Sequence, residues 1–232
     1  MENLNKLLKE NANPEKAKIL QRFFKTGKGQ YGEGDVFLGI TVPVQRSIAK
    51  ESIHLSMEEI RNLLNSEVHE KRLIGLLILI EKFNKGDESV RKNIFDFYLE
   101  NTHGINNWDL VDLSAHKIVG KFLLDKDRDV LYELAVSEDL WEKRISIVSC
   151  FAFIRENDFN EVLNLSEILL NDSHDLIHKA VGWMLREMGK KDVKVLEEFL
   201  SKHYKNMPRT MLRYSIEKFP EDKRKMYLRG EV

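Results

Sequence analysis

The chain reads as all-α, a set of helical repeats wound into a curved α-solenoid, and three features of the sequence predict it. Apolar residues recur three and four apart in segment after segment, as Leu73, Leu76, Leu77 and Ile80 do, which is the period of a helix with a buried face. Alternating apolar and polar runs that would mark strands are hard to find. Equivalent positions also recur at one interval: Lys143-Arg144 and Lys179-Ala180 stand 36 residues apart, Lys71-Arg72 lies twice that distance before Lys143, and Asn107-Trp108 occupies the missing register. A period in the mid-thirties, each unit an amphipathic helix pair, is the signature of a stacked repeat array.

Leu4 to Asn11 and Pro14 to Lys25 are predicted as a helical hairpin, broken at Asn11-Ala12-Asn13-Pro14, where Asn13 suits an N-cap and Pro14 a first turn. Thr26 to Asp35 is the glycine-dense stretch of the chain, and it reads either as a flexible surface loop or as one offering Lys25, Lys28 and Tyr31 to a nucleic-acid backbone. It lacks the spacing of a nucleotide phosphate loop. Phe37 to Pro43 is a compact apolar turn leading into a helix with Gln45, Arg46 and Lys50. Ser56-Met57-Glu58-Glu59 resembles a capping box before Ile60 to Leu64, and Glu67 to Phe83 carries a long apolar face that ends at Gly86-Asp87. Further helices are expected over Val90 to Leu99, Trp108 to Val119, Val130 to Val136, Leu140 to Ile154, Phe159 to Leu170, Leu176 to Met188, Val193 to His203 and Met207 to Phe219. The tetratricopeptide pattern of Trp, Leu-Gly and Tyr is absent, so the expected architecture is one HEAT-like domain over residues 1–232.

Composition narrows the function classes. With 42% hydrophobic residues, four Pro and a net charge of −1, the chain has an ordinary soluble composition and is not a uniformly basic nucleic-acid binder. It lacks an apolar run long enough to span a bilayer and the start has no signal-peptide core, so a cytoplasmic monomer without membrane contact is expected. The single cysteine, Cys150, lies in the apolar run Ile145 to Ile154 and reads as core, consistent with a reducing compartment. His174 and His178 form the one i, i+4 histidine pair but lack the glutamate of a His-Glu-x-x-His zinc helix, so no metal is expected there.

Repeats in register would align Arg72, Trp108, Arg144 and the neighbourhood of Ala180 along one face, with Lys71, Lys143 and Lys179 beside them and Lys117, Lys121, Arg186, Arg209 and Arg213 able to join. Such a basic concave face suits a polyanion backbone read by charge and curvature. Solvated charges interspersed with acids are the plainer reading. The unusual unit is Asn106 to Ser114, where Trp108 and Asp112 share a helix face and Asp109 points away. An indole beside an acid can hold a cation, although Trp108 also fits a core position with Asp109 and Asp112 as first-turn acids. Trp183 follows Lys179 by one turn and Trp141 precedes Arg144 by three residues, so indoles and cations pair repeatedly.

Five segments together resemble the AlkD-like group of DNA alkylation repair glycosylases. They are Asn13-Pro14-Glu15-Lys16-Ala17, Phe37-Leu38-Gly39-Ile40 with Pro43 and Arg46, Trp108-Asp109-Leu110-Val111-Asp112, Leu140-Trp141-Glu142-Lys143-Arg144, and Lys179-Ala180-Val181-Gly182-Trp183-Met184-Leu185-Arg186-Glu187. The resemblance implies a HEAT-like glycosylase that removes cationic alkylated purines, 7-methylguanine and 3-methyladenine, from double-stranded DNA without rotating the base into a pocket. It implies Asp112 as the catalytic carboxylate, Trp108 and Trp183 flanking the lesion sugar, and Arg144 on the backbone. Lys28, Arg46, Arg72, Lys143, Lys179 and Arg186 are taken as further duplex contacts, and no metal or organic cofactor is implied. A cationic purine is already a good leaving group, so what remains is to stabilise an oxocarbenium-like sugar and place a water. Two departures stand out: Phe23 falls where the group has a Tyr, and the glycine-rich loop resembles the insertion of a subgroup. The alternative is a non-catalytic solenoid that binds bent, branched or damaged DNA, and a third is a protein-binding scaffold.

Overall fold

A computed structural model describes residues 1–232. It is all-α, with one isolated parallel bridge between Val36 and Val68. The helices in order are α1 (Glu2–Asn11), α2 (Pro14–Phe23), α3 (Val42–Glu51), α4 (Met57–Leu64), α5 (His69–Lys85), α6 (Glu88–Glu100), α7 (Trp108–Phe122), α8 (Asp129–Ala135), α9 (Leu140–Ser149), α10 (Phe151–Arg155), α11 (Asn160–Ile168), α12 (Asp175–Lys191), α13 (Val193–His203), α14 (Arg209–Ser215) and α15 (Glu221–Arg229). The chain forms two compact units, Met1–Leu110 and Val111–Val232.

Local chemistry sets the helix starts. Asn13 accepts the Lys16 N–H, Asp87 that of Val90, Asp139 those of Trp141 and Glu142, and Asp192 those of Lys194 and Val195, each satisfying donors that a helix N-terminus leaves orphaned. The box at Ser56 is closed in both directions: its hydroxyl accepts from Glu59 N, and the Glu59 carboxylate accepts from Ser56 N.

In the first unit α5 is buried on every side from Leu73 to Ile80, with α3, α4 and α6 against it. Its Glu70 is wholly buried and accepts the N–H groups of Leu38, Gly39 and Ile40 at 2.8 to 3.2 Å. That carboxylate ties the Phe37–Ile40 turn to α5. Gly39 is required there, because its φ is +82° and a Cβ would lie 2.1 Å from the Asn13 carbonyl oxygen. In the second unit α12 is the central helix, contacted by α9, α11, α13 and α14. Gly182 lets it approach α14, where a Cβ would meet Tyr214 Cβ at 2.5 Å and the Met211 carbonyl oxygen at 2.6 Å.

The structure corrects several expectations. The single helix expected over Leu140 to Ile154 breaks at Cys150 into α9 and α10. Ser146 and Ser149 hydroxyls donate back to the carbonyls of Lys143 and Ile145, a pattern that bends helices. Helix α15 escaped the pattern reading because it lacks a periodic apolar face, although Pro220 before it and the left-handed Gly230 after it punctuate both ends. The glycine-rich loop, read from sequence as a flexible surface loop or as one offering Lys25, Lys28 and Tyr31, is held by bonds of its own. It folds on itself, with Gly27 N donating to Gln30 Oε1 and Gly29 N to Glu33 Oε2. Equal sequence spacing also does not give equal helix positions: Trp108 opens α7, whereas Arg72, Arg144 and Ala180 lie progressively deeper in α5, α9 and α12.

Candidate functional site

In the first unit Trp108 is half-buried on a small aromatic core of Ala17, Phe24 and Phe37. Its ring stacks on Phe24 at 5.1 Å and 19°, Phe24 stacks on Phe37 at 5.0 Å and 16°, and the exposed Phe23 meets the indole edge-on at 5.9 Å. The indole therefore has a fixed seat made by residues of α2 and the following turn.

Behind the rings lies a buried charge cluster. His69 contacts Asp35 Oδ2 through Nδ1 at 3.0 Å and Asp109 Oδ2 through Nε2 at 2.8 Å. Arg72 donates from Nη2 to Asp35 Oδ1 at 2.6 Å and from Nη1 to the Ser66 carbonyl at 2.7 Å, and Asn107 Nδ2 adds a longer bond to Asp35. Burial opposes charge on His69, but the Asp109 carboxylate and the hydrogen bonds to Asp109 and Asp35 outweigh it, raising its pKa to about 9. Burial pushes the Asp35 carboxyl up, and the His69 bond and the Arg72 charge together bring it below its ordinary value. From sequence Asp109 reads as a helix-end or structural acid, whereas Asp35 and His69 were not singled out.

In the second unit Asp112 is gripped by Arg144, Nε to Oδ1 at 2.9 Å and Nη2 to Oδ2 at 2.8 Å. Arg144 also donates from Nη1 to the Leu176 carbonyl at 2.5 Å, so all three guanidinium nitrogens are engaged. Its side chain is 6% exposed and that of Asp112 is 17% exposed. The acid thus reaches the surface from a buried mount. One turn on, His116 is buried, its Nδ1 has no partner, and it lies edge-on to Phe151 at 5.3 Å. Burial and the nearby Lys117 and Arg155 charges lower its pKa to about 4, against a bond to the Asp112 backbone that raises it. Phe151 also faces Trp183 at 5.9 Å, and Trp183 donates from Nε1 to Glu187 at 3.2 Å. His116 was not singled out from sequence; its place four residues after Asp112 was the available signal.

The expected row of cations looks different at atomic detail. Arg72 is buried on Asp35 and Arg144 on Asp112, which removes both from solvent as phosphate ligands. Lys143 pairs with Asp172 at 2.9 Å, Lys179 with Asp175 at 2.7 Å, and Arg186 with Glu217 and Glu187. Each carries its own counter-charge. Lys28 and Arg46 are exposed. His174 and His178 engage backbone groups, Leu176 N and Asp172 O. No helix is long and apolar enough to cross a membrane.

Two helical units, each built about a central buried helix, with a carboxylate clamped by a guanidinium at a helix face, define a protein of the helical-repeat class. The match extends to a named family: the profile of the DNA alkylation repair enzymes covers residues 4–219, and the chain belongs to that family. A solved structure described as a predicted DNA alkylation repair enzyme from Enterococcus faecalis is similar, with a TM-score of 0.70 at 16% identity over 91% of this chain and 98% of that one. At that identity the likeness is one of fold. No curated protein matches the chain.

Proposed function

We propose that the protein is a DNA glycosylase that hydrolyses the N-glycosidic bond of cationic alkylated purines, such as 7-methylguanine and 3-methyladenine, in duplex DNA. The observation that carries this reading is the Asp112–Arg144 pair: a carboxylate held in one plane by a buried guanidinium while its own side chain remains partly exposed. A preorganised carboxylate is what a developing oxocarbenium ion needs, because no reorganisation is left to do when the charge appears. The alkylated base leaves without a proton donor, so the site needs no general acid. Asp112 stabilises the sugar and orients the attacking water, Trp108 and Trp183 offer indole faces to the cationic sugar, and Arg144 positions Asp112 rather than binding a phosphate. Lys28 and Arg46 are the exposed candidates for backbone contacts, with Lys143, Lys179 and Arg186 contributing only where a phosphate displaces their present carboxylate partners. The protein works on DNA as a monomer in the cytoplasm and needs no metal or organic cofactor.

Release of methylated base from alkylated duplex DNA tests the proposal. Wild type should release 7-methylguanine, and Asp112→Asn should abolish release while retaining duplex affinity. A wild type that binds bent or branched DNA and releases no base would replace this reading with the non-catalytic one.

A further inference from the structure

We infer that His69 is the positioning residue for Trp108: by bridging Asp35 and Asp109 beneath the Phe24 ring, it fixes both the first turn of α7 and the seat of the indole. Carboxylates only accept hydrogen bonds, so an imidazole placed between two of them must donate from both ring nitrogens. The ring contacts Asp35 at 3.0 Å and Asp109 at 2.8 Å, and all three side chains are nearly inaccessible, at 2%, 4% and 11% exposure. Its raised pKa, to about 9, agrees with that requirement. Arg72 supplies the second positive charge, so two acids and two cations compensate one another in a largely buried cluster.

Two routes lead from this cluster to the indole. The first is covalent, since Asp109 is the next residue after Trp108, and tying its carboxylate to α5 sets where α7 begins. The second is the ring column: Phe24 lies between the imidazole, at 5.0 Å and 35°, and the indole, at 5.1 Å and 19°, while Phe37 stacks on the imidazole at 4.5 Å. The groups that face His69 are Asp35 from the loop, Asp109 from α7 and Arg72 from α5, with Phe24 and Phe37 as the apolar walls. Losing the ring proton leaves one carboxylate without its donor, and the cheapest relief is a shift of α7's first turn, which carries Trp108 with it.

The placement of Trp108 follows from geometry alone; its effect on catalysis rests on the proposed glycosylase function. Fluorine NMR of the full chain labelled with 5-fluorotryptophan separates the two, with the Trp108 signal assigned by Trp108→Phe. In wild type that signal should titrate with a midpoint near pH 9. In His69→Gln it should start displaced and not titrate, while the Trp141 and Trp183 signals stay in place. Single-turnover excision by His69→Gln should fall about tenfold or more, with duplex affinity within about twofold of wild type, as expected when a reacting group is misplaced and not removed. A Trp108 signal that neither titrates in wild type nor moves in His69→Gln overturns the inference. Should His69→Gln not fold, the wild-type titration decides alone. A wild type without excision removes the proposed function, and the fluorine titration still decides the placement.

Discussion

Asp112 and Arg144 meet through two parallel hydrogen bonds across 32 residues of sequence, and the same guanidinium anchors itself to the Leu176 carbonyl. Arg144→Ala should therefore act on stability as well as chemistry. It strands a largely buried carboxylate and a carbonyl, at a cost of about 3 kcal/mol, the range for breaking one side of a buried pair. Arg144→Lys should recover only part of this, because an ammonium cannot make the two-pronged contact. Urea unfolding of both variants checks the order.

The pH profile of stability should peak between about pH 6 and 7. His69 has a folded pKa raised to about 9 from 6.5, so its contribution is fully present below 6.5 and is lost as pH rises through 9. His116 has a folded pKa lowered to about 4, so the folded state loses ground as pH falls from 6.5 towards 4. Asp35, with its lowered pKa, adds stability above 3.8 that disappears as pH falls through its folded value. Each histidine limb is worth on the order of a few kcal/mol. Thermal melts across this range should show His69→Gln flattening the alkaline limb and His116→Asn the upper acid limb.

Gly182→Ala separates helix propensity from packing. Alanine is better than glycine in a helix by about 1 kcal/mol, yet the new methyl would lie 2.5 Å from Tyr214 Cβ and 2.6 Å from the Met211 carbonyl oxygen. Overpacking of this kind costs about 1 to 3 kcal/mol, and backbone cannot swing aside. The variant should be less stable than wild type by about 1 kcal/mol or more in denaturant titration.

Cations with and without buried partners should respond differently. Lys28→Glu and Arg46→Glu should weaken duplex binding across all sequences, and each neutral counterpart should reduce the salt slope by about one unit. Arg72→Gln should instead destabilise the fold in urea unfolding, by about 3 kcal/mol, because it removes the guanidinium partner of the buried Asp35 and leaves only His69 and Asn107 on that carboxylate. Equal salt slopes for Lys28→Gln, Arg46→Gln and wild type would remove both residues from the interface.

Most helices were legible because period and caps act locally. Val193–His203 has the boundaries expected from its pattern, and the box at Ser56 forms as its spacing implies. The departure of Asp109 from the face that Trp108 and Asp112 share was legible too, since adjacent residues of a helix point about 100° apart: one acid went to His69, the other to Arg144. Partners of the cations were not legible. Arg72 finds Asp35 across 37 residues and Lys143 finds Asp172 across 29, and no local period encodes such pairings. The break at Cys150 depends on serine hydroxyls choosing carbonyls of their own helix, a choice that composition leaves open.

Cys150 lies wholly inside the second unit, and burial pushes its thiol well above the ordinary range. The chain therefore presents no thiolate to an electrophile while it is folded. The fold keeps the chain's one thiol out of reach of electrophiles, and the rate at which a thiol reagent does reach Cys150 clocks how often that unit opens.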